Sequence, residues 1–194
     1  MAKLYFKYGA MGSSKTAQAL ITKFNYEEKG MAVWLIKPAK ENRDGEDILL
    51  SRIGLRSVCT PIPEEANIVD MYRARQGVDC IIADECQFFT EEQIDQLRAI
   101  VNGEDIPVLC FGLRSDFRTK LFPGSQRLFE IADSISEIKT ICACGAKATV
   151  NARLNDSGRI ITEGEQILLG GEERYTALCH KCWVNGIKEG KKCR

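Results

Sequence analysis

The most constraining feature of this 194-residue chain is an eight-residue segment near its start. Residues Gly9 to Thr16 read GAMGSSKT. They follow the apolar run from Leu4 to Tyr8 and open a pattern of helical spacing from Lys15 to Lys29. A glycine-rich turn between a strand and a helix lets backbone N–H groups surround a phosphate at the positive end of the helix dipole. The segment therefore predicts a phosphate-binding loop within an α/β fold.

Members of this loop have expected roles in binding a nucleoside triphosphate with magnesium. Lys15 is expected to reach the β- and γ-phosphates, and the Thr16 hydroxyl is expected to coordinate Mg²⁺. The residue before the lysine is Ser14, where the motif ordinarily has glycine. A coincidental Gly-Ser turn before a helix is the alternative interpretation. The residues predicted to contact the triphosphate are Gly9, Ala10, Met11, Gly12, Ser13, Ser14, Lys15 and Thr16.

Short apolar runs alternate with helical patterns along the first two thirds of the chain. This alternation predicts a parallel sheet covered by helices on both faces, with ligands bound at the carboxyl ends of its strands. The expected fold is a P-loop NTPase-type, RecA-like sheet. Residues 39–50 are predicted to form a mobile loop, and residues 112–124 an irregular segment. The predicted strands are residues 4–8, 32–36, 80–83 and 107–111, and the predicted helices are residues 15–29, 64–76 and 90–101.

Two adjacent acids follow the apolar run that ends at Ala83. Asp84 would hold Mg²⁺ near the phosphates if its strand neighbours the strand that precedes the phosphate loop. Adjacent residues at a strand end point to opposite sides, so Glu85 can face the space beside the γ-phosphate. That position suits a general base that takes a proton from an attacking hydroxyl. The alternative is a solvated acidic pair that caps the strand.

The cysteine pattern indicates a metal site in the C-terminal region. Four of the nine cysteines form two close pairs separated by about 34 residues, and four thiolates suit a closed, structural Zn²⁺ site. His180 lies between two of them and could replace one, and four reduced, unliganded thiols are the alternative. After Lys139 the composition shifts to cysteine pairs, glycines and short β-like segments. This shift predicts a nucleotide-binding domain at 1–139 and a small zinc-binding domain at 140–194. The predicted zinc ligands are Cys142, Cys144, Cys179 and Cys182.

Composition narrows the set of partners. Lys plus Arg (27) equals Asp plus Glu (27), so no net field draws the chain onto nucleic acid or an anionic membrane. No apolar run approaches the roughly 20 residues that span a bilayer. Lys3 and Lys7 interrupt the N-terminal apolar stretch, which lacks a secretory core. We expect a cytoplasmic protein that binds neither nucleic acid nor membrane.

Together these motifs resemble the thymidine kinase family, specifically its cytosolic, zinc-containing type II members of bacterial kind. The resemblance runs from residue 9 to residue 182, in the family's order, and so covers nearly the whole chain. Besides the phosphate loop and the cysteine pairs, the matching stretches are Asp84-Glu85-Cys86-Gln87-Phe88, Gly112-Leu113-Arg114-Ser115-Asp116-Phe117-Arg118 and Gly170-Gly171-Glu172-Glu173-Arg174-Tyr175.

The resemblance implies a nucleoside kinase that phosphorylates thymidine with ATP, in the salvage of DNA precursors. It implies Mg²⁺, a structural zinc ion, a homotetramer, and Glu85 as the base acting on the 5′-hydroxyl. It further implies a loop between the cysteine pairs that closes over thymidine, and a segment around Arg52 near the phosphates. The implied nucleoside contacts are Phe88, Leu113, Phe117, Phe122, Ile167, Leu168, Leu169, Gly170, Gly171 and Tyr175. Judged by residue type alone, Phe117 and Phe122 could equally belong to the hydrophobic core.

Two other classes of function stay open at this stage. The acidic segment that begins at Asp84 faintly resembles that of ATP-driven nucleic-acid motors, which suggests a helicase- or recombinase-like module with a zinc ribbon. The short chain and the zero net charge weigh against that class. A zinc-dependent binding protein with a degenerate phosphate loop is the third hypothesis, because Ser14 departs from the motif.

Overall fold

The computed structural model of the chain describes residues 1–42, 45–166 and 174–189. Its helices are α1 (Lys15–Glu27), α2 (Ile68–Arg73), α3 (Glu91–Glu104), α4 (Pro123–Ile131) and α5 (His180–Glu189). A short 3₁₀ turn spans Cys86–Phe88. The strands are β1 (Leu4–Tyr8), β2 (Val33–Pro38), β3 (Ile48–Leu50), β4 (Arg56–Val58), β5 (Thr60–Ile62), β6 (Cys80–Ala83), β7 (Val108–Gly112), β8 (Ser134–Glu137), β9 (Thr140–Ile141), β10 (Lys147–Ala148), β11 (Val150–Leu154), β12 (Ile160–Ile161) and β13 (Tyr175–Leu178).

A six-stranded parallel sheet in the order β5-β2-β6-β7-β1-β8 forms the centre of the molecule. The predicted α/β fold, a parallel sheet flanked by helices, is therefore confirmed. The strand before Asp84 was expected to neighbour the strand before the phosphate loop. This condition is not met, because β7 lies between β1 and β6. All strands run the same way, so the segments after β1 and β6 still emerge at one edge of the sheet.

The sheet is buried on both faces because successive side chains of each strand point in opposite directions. On one face, Ala19 and Leu20 of α1 pack with Leu35, Ile82 and Phe111. The opposite face is covered by α2, α3 and α4. The buried side chains of that second cluster include Phe6, Ile36, Ile68, Ile81, Ile94, Leu97, Val108 and Leu128.

Helix boundaries depart from the sequence prediction where local capping decides them. The helix predicted over 64–76 is limited to Ile68–Arg73, because the Asn67 side chain accepts a hydrogen bond from the Asp70 N–H and starts the helix there. The predicted start of α3 is confirmed, with a reciprocal capping box between Thr90 and Gln93. That helix extends to Glu104, beyond the predicted end.

The segment predicted as a mobile loop contains part of a hairpin. The prediction is wrong for residues 48–50, which form β3 and pair antiparallel with β4. The buried ammonium of Lys37, at the end of β2, donates hydrogen bonds to the carbonyl oxygens of Gly45 and Ile48, each at 2.8 Å. A buried charge needs such partners, so Lys37 holds the start of the hairpin against the sheet.

Strands β5 and β8 of the main sheet and helix α4 beside it were not predicted. The irregular segment after β7 ends at α4, which begins with Pro123 in its first turn, a position where proline costs no helical hydrogen bond. Strand β8 reads SISE and pairs with β1 at the edge of the sheet. An edge strand of this kind is half solvated and lacks the apolar run that marked the others.

The C-terminal region is a small β-rich unit built on β11. This strand is buried along its length and pairs antiparallel with β12 and β13, while β9 and β10 form a separate hairpin. The predicted β-rich character is confirmed, and the proposed division at residue 139 stays a prediction. In the part of the chain that is described, no helix has both the length and the apolar character needed to cross a membrane.

Candidate active site

The phosphate loop joins β1 to α1 in a conformation that depends on two left-handed residues. Gly12 has φ +72°, and Ser14, the residue that caps α1, has φ 62° and ψ 28°. A Cβ on Gly9 would lie 2.4 Å from both the Ile138 carbonyl oxygen and Ser13 Oγ, so only glycine fits there. Ser14 thus occupies the backbone conformation that glycine adopts readily, at a cost in strain. Its side chain is exposed.

Lys15 and the two acids that follow β6 lie in one place although they are far apart in the chain. The Lys15 side chain is buried, and its ammonium donates a hydrogen bond to the Ala10 carbonyl oxygen at 3.0 Å. Burial lowers the pKa of Lys15, and the nearby carboxylates of Glu85 and Asp84 oppose that effect. The structure therefore brings together the cation and the acids that the sequence analysis singled out.

Asp84 carries the features of a magnesium ligand. Its carboxylate is fully buried, and neither oxygen accepts a hydrogen bond of standard geometry from any described residue. Burial and the neighbouring Glu85 raise the pKa of Asp84, although the Thr16 hydroxyl lies close enough to lower it in part. A buried carboxylate without a donor is costly, and Mg²⁺ favours oxygen ligands of this kind. The residues present therefore fit a magnesium ion between Thr16 and Asp84.

Glu85 leaves the strand in a strained conformation and is held by a glutamine. Its φ of 49° is left-handed, which is uncommon for a residue with a side chain. The Gln87 side-chain N–H donates to Glu85 Oε2 at 2.5 Å, while Gln87 Oε1 accepts from the Leu113 backbone N–H at 2.9 Å. Gln87 lies within one of the motifs that carry the family resemblance, but the sequence indicates no role for it. Its role can be inferred only from the folded structure, in which the Leu113 N–H lies beside its side chain.

Arg52 reaches the phosphate loop from the turn between β3 and β4. Its guanidinium Nη1 lies 3.9 Å from the position that a Cβ on Gly12 would take. Its charge also contributes to the lowered pKa of Lys15. The hairpin thus supplies a second cation near the phosphate loop.

Part of the predicted nucleoside pocket forms an aromatic group beside Glu85. The rings of Phe88 and Phe122 meet edge to face, with centroids 5.6 Å apart. Leu113 lies next to this group, since its N–H bonds Gln87 and its carbonyl oxygen accepts from the Ser125 hydroxyl at 2.5 Å. These contacts put an apolar wall next to the acidic residues.

Arg153 organises the other predicted pocket residues and was missed by the sequence analysis. Its guanidinium lies 3.7 Å from the centre of the Phe117 ring, and its Nε donates to the Tyr175 hydroxyl at 2.6 Å. It also donates to the carbonyl oxygens of Glu165 and Gln166. The sequence signal for this role was a charged residue, Arg153, within a strand that is buried along its length. Outside the described residues lie the other predicted contacts, Ile167, Leu168, Leu169, Gly170 and Gly171.

A second missed residue, Asn151, joins the small sheet to the phosphate loop. Its Oδ1 accepts from the Met11 backbone N–H at 2.8 Å, and its Nδ2 donates to the Ser115 carbonyl oxygen at 3.0 Å. The side chain is buried with both ends of its amide bonded. Asn151 therefore links β11, the phosphate loop and the segment that follows β7.

The four predicted zinc ligands converge. Their sulfur atoms all lie within 4.8 Å of one another, and those of Cys144 and Cys179 are 3.7 Å apart. A tetrahedral zinc ion with Zn–S bonds of about 2.3 Å sets its sulfurs about 3.8 Å apart, so the group fits zinc. Burial alone would raise the pKa of Cys142, but nearby backbone N–H groups and thiols outweigh it and lower that pKa. His180 is exposed and contacts Trp183 instead. The converging residues are Cys142, Cys144, Cys179 and Cys182.

Comparison with known proteins gives matches in one family. The family model described as "Thymidine kinase" matches residues 2–183. The chain is 42% identical over 193 residues to the thymidine kinases of Escherichia coli O157:H7 and Shigella flexneri, which is 98% of this chain and 94% of each of those proteins. The thymidine kinase of Salmonella choleraesuis shows the same identity and coverage. The motifs, the sheet and these matches lead to one conclusion: the chain belongs to the thymidine kinase family.

Proposed function

We propose that the protein is a thymidine kinase, which transfers the γ-phosphate of ATP to the 5′-hydroxyl of thymidine and yields thymidine monophosphate and ADP. The observation that carries the proposal is the meeting of Lys15, Asp84 and Glu85 at one edge of the sheet. A phosphate-binding cation, a magnesium-binding acid and a candidate base are the parts that phosphoryl transfer to an alcohol needs. Because the acceptor is a preformed nucleoside and the product is a DNA precursor, the proposed pathway is nucleotide salvage.

The triphosphate is proposed to lie across the loop from Gly9 to Thr16. Backbone N–H groups at the start of α1 face the β-phosphate, and Lys15 exchanges its hydrogen bond to Ala10 for the β- and γ-phosphate oxygens. Asp84 and Thr16 would hold Mg²⁺, which supplies charge neutralisation on those oxygens when bound. Arg52 adds a further positive charge on the same side.

Glu85 is proposed as the general base. Its carboxylate accepts the proton of the 5′-hydroxyl as the new O–P bond forms, and the bond between the γ-phosphorus and the bridging oxygen breaks so that ADP leaves with that electron pair. Phosphoryl transfer gains mostly from positioning and charge, so the geometry of Glu85 matters as much as its basicity.

Thymidine is proposed to lie between the aromatic groups and the loop that connects β12 to β13. Phe88, Leu113, Phe117 and Phe122 provide the apolar wall, and Tyr175 supports the nucleoside next to Arg153. Enclosure matters because water outnumbers thymidine and would otherwise accept the phosphate. The base edge is assigned, by family resemblance, to the main chain of residues 167–171.

The cysteine cluster is proposed to hold a structural zinc ion in a domain formed by residues 140–194. Four cysteine ligands leave no open coordination position, so the metal stabilises the fold and takes no part in the transfer. It would tie the β9–β10 hairpin region to α5 in a unit whose own core is small. A cytoplasmic homotetramer is proposed from the family resemblance.

Incubation with γ-labelled ATP and each common nucleoside tests the proposal directly. Label should appear in thymidine monophosphate and depend on Mg²⁺. Glu85→Gln should lower kcat by at least about 10³-fold with little change in ATP affinity, whereas Lys15→Ala should weaken both. A parallel reaction with single-stranded DNA in place of the nucleoside tests the alternative function. ATP turnover that responds to DNA and ignores thymidine would instead support the nucleic-acid module.

A further inference from the structure

We propose that Gln87 is a positioning residue that orients the Glu85 carboxylate for proton transfer, an inference that rests on the base role proposed for Glu85. Gln87 is buried, with 1% of its surface exposed, and it bridges Glu85 to Leu113 at the end of β7. It therefore connects the acid to the wall of the nucleoside site. The following contacts support this role.

The direction of the Gln87 amide is determined by its partners. A backbone N–H can only donate, so the end that faces the Leu113 N–H must be the oxygen Oε1, at 2.9 Å. The nitrogen end then necessarily faces Glu85, where it donates to Oε2 at 2.5 Å. Each end of the amide has a matching partner, and reversing it would set donor against donor and acceptor against acceptor.

The 3₁₀ turn that carries Gln87 is confined by glycines on two sides. A Cβ on Gly112 would lie 2.6 Å from both Cys86 Sγ and Gln87 Oε1. A Cβ on Gly124 would lie 2.6 Å from the Cys86 carbonyl oxygen and 2.7 Å from that of Phe89. Side chains do not fit at these distances, so both glycines are needed for this close approach. The turn thus has little freedom to shift the amide away from Glu85.

The consequence for catalysis follows from the backbone of Glu85. Its left-handed conformation takes it out of the strand, so the strand ladder does not define where its side chain lies. The donor on Gln87 supplies that definition. A charge-assisted hydrogen bond limits rotation of the carboxylate and so holds it where it can accept the proton of the hydroxyl.

A second buried glutamine provides a matched control. Gln93 is 3% exposed, and its amide has the same pattern, with Oε1 accepting from the Thr90 N–H and Nε2 donating to carbonyl oxygens, among them that of Pro63. Its partners are backbone groups at the start of α3 and in the segment before α2, and none is a side-chain carboxylate. At position 93, the change from glutamine to glutamate therefore tests only the effect of burying a carboxyl group. At position 87, the same change tests that effect together with the lost hydrogen bond to the base.

The deciding experiment measures kcat and the KM values for thymidine and ATP in wild type, Gln87→Glu and Gln93→Glu, with thermal melting of each. Gln87→Glu keeps the acceptor for Leu113 and replaces the donor to Glu85 with a second carboxylate. We expect its kcat to fall roughly 100-fold, because the base is no longer held in position. KM for ATP should change by less than about twofold. Gln93→Glu should lower the melting temperature and leave kcat within about threefold of wild type.

A kcat within about threefold of wild type in folded Gln87→Glu would overturn the role of Gln87. If Gln87→Glu does not fold, Gln87→Met decides, since it is neutral, similar in size and unable to donate. The expected result for Gln87→Met is again a lower kcat with KM for ATP within about twofold of wild type, and an unchanged kcat would reject the proposal. Near-normal turnover by Glu85→Gln would refute the base assignment itself, which is a separate failure.

Discussion

Ser14→Gly should stabilise the protein, because the serine occupies a left-handed position in the phosphate loop. Its φ is 62° and its ψ is 28°. A left-handed residue with a Cβ costs roughly 1–2 kcal/mol, while glycine loses about 0.4–1 kcal/mol through the greater freedom of the unfolded chain. The Ser14 side chain makes no capping hydrogen bond that would be lost. The expected net gain in the free energy of unfolding is about 0.5–1 kcal/mol.

Thermal and denaturant unfolding at one fixed protein concentration measure this gain. The predicted change corresponds to a rise of about 1–4 °C in Tm for a chain of this size. Ser14→Ala is the control, because alanine keeps the Cβ and the strain while removing the hydroxyl.

The reasoning would be refuted if Ser14→Gly were no more stable than Ser14→Ala. That result would mean that the left-handed conformation carries no cost at this position, or that Ser14 adopts another conformation in solution. A Ser14→Gly variant that is more stable and equally active would show that the departure from the usual motif costs stability and spares catalysis.

Further variants test the interactions that surround the site. The hydrogen bond from Arg98 and one from a backbone N–H of β1 hold the pKa of Asp133 below its usual value. Asp133 therefore contributes stability above its unfolded-state pKa, and this contribution is lost as the pH falls through its folded-state pKa. In denaturant unfolding, Asp133→Asn should lower the free energy of unfolding by about 1 kcal/mol at pH 7. The difference from wild type should disappear in strong acid. Cys179→Ser should release the metal, measurable by a zinc-binding dye, and raise KM for thymidine before that for ATP. Asn151→Leu leaves the Met11 N–H without its partner and should raise KM for ATP roughly tenfold in steady-state assays.

Part of the site could be predicted from sequence because its chemistry is local. The phosphate loop needs a strand, a glycine-rich turn, Lys15 and a helix in immediate succession, and all are contiguous in the chain. The close cysteine pairs are likewise readable as metal ligands. Edge strand β8 was not predictable in this way. Its sequence is mostly polar, and it becomes a strand because it pairs with β1 at the edge of the sheet.

Residues whose roles depend on distant partners escaped the sequence analysis. Gln87, Arg153 and Asn151 are buried polar residues, and each bonds a group far away in the chain, on Leu113, Tyr175 and Met11 respectively. A buried polar side chain takes its function from the atoms that satisfy it, and these atoms come close only when the chain folds. No spacing rule connects Asn151 to Met11, or Arg153 to Glu165.

The sequence by itself determined the kind of chemistry, since the loop with Lys15, the acids after β6 and the cysteine pairs are each complete as local motifs. Only the tertiary structure decided how they meet. Strand β7 separates β1 from β6, yet the parallel direction of the strands delivers Lys15 and Glu85 to one edge, because in a parallel sheet the carboxyl ends of all strands lie on the same side.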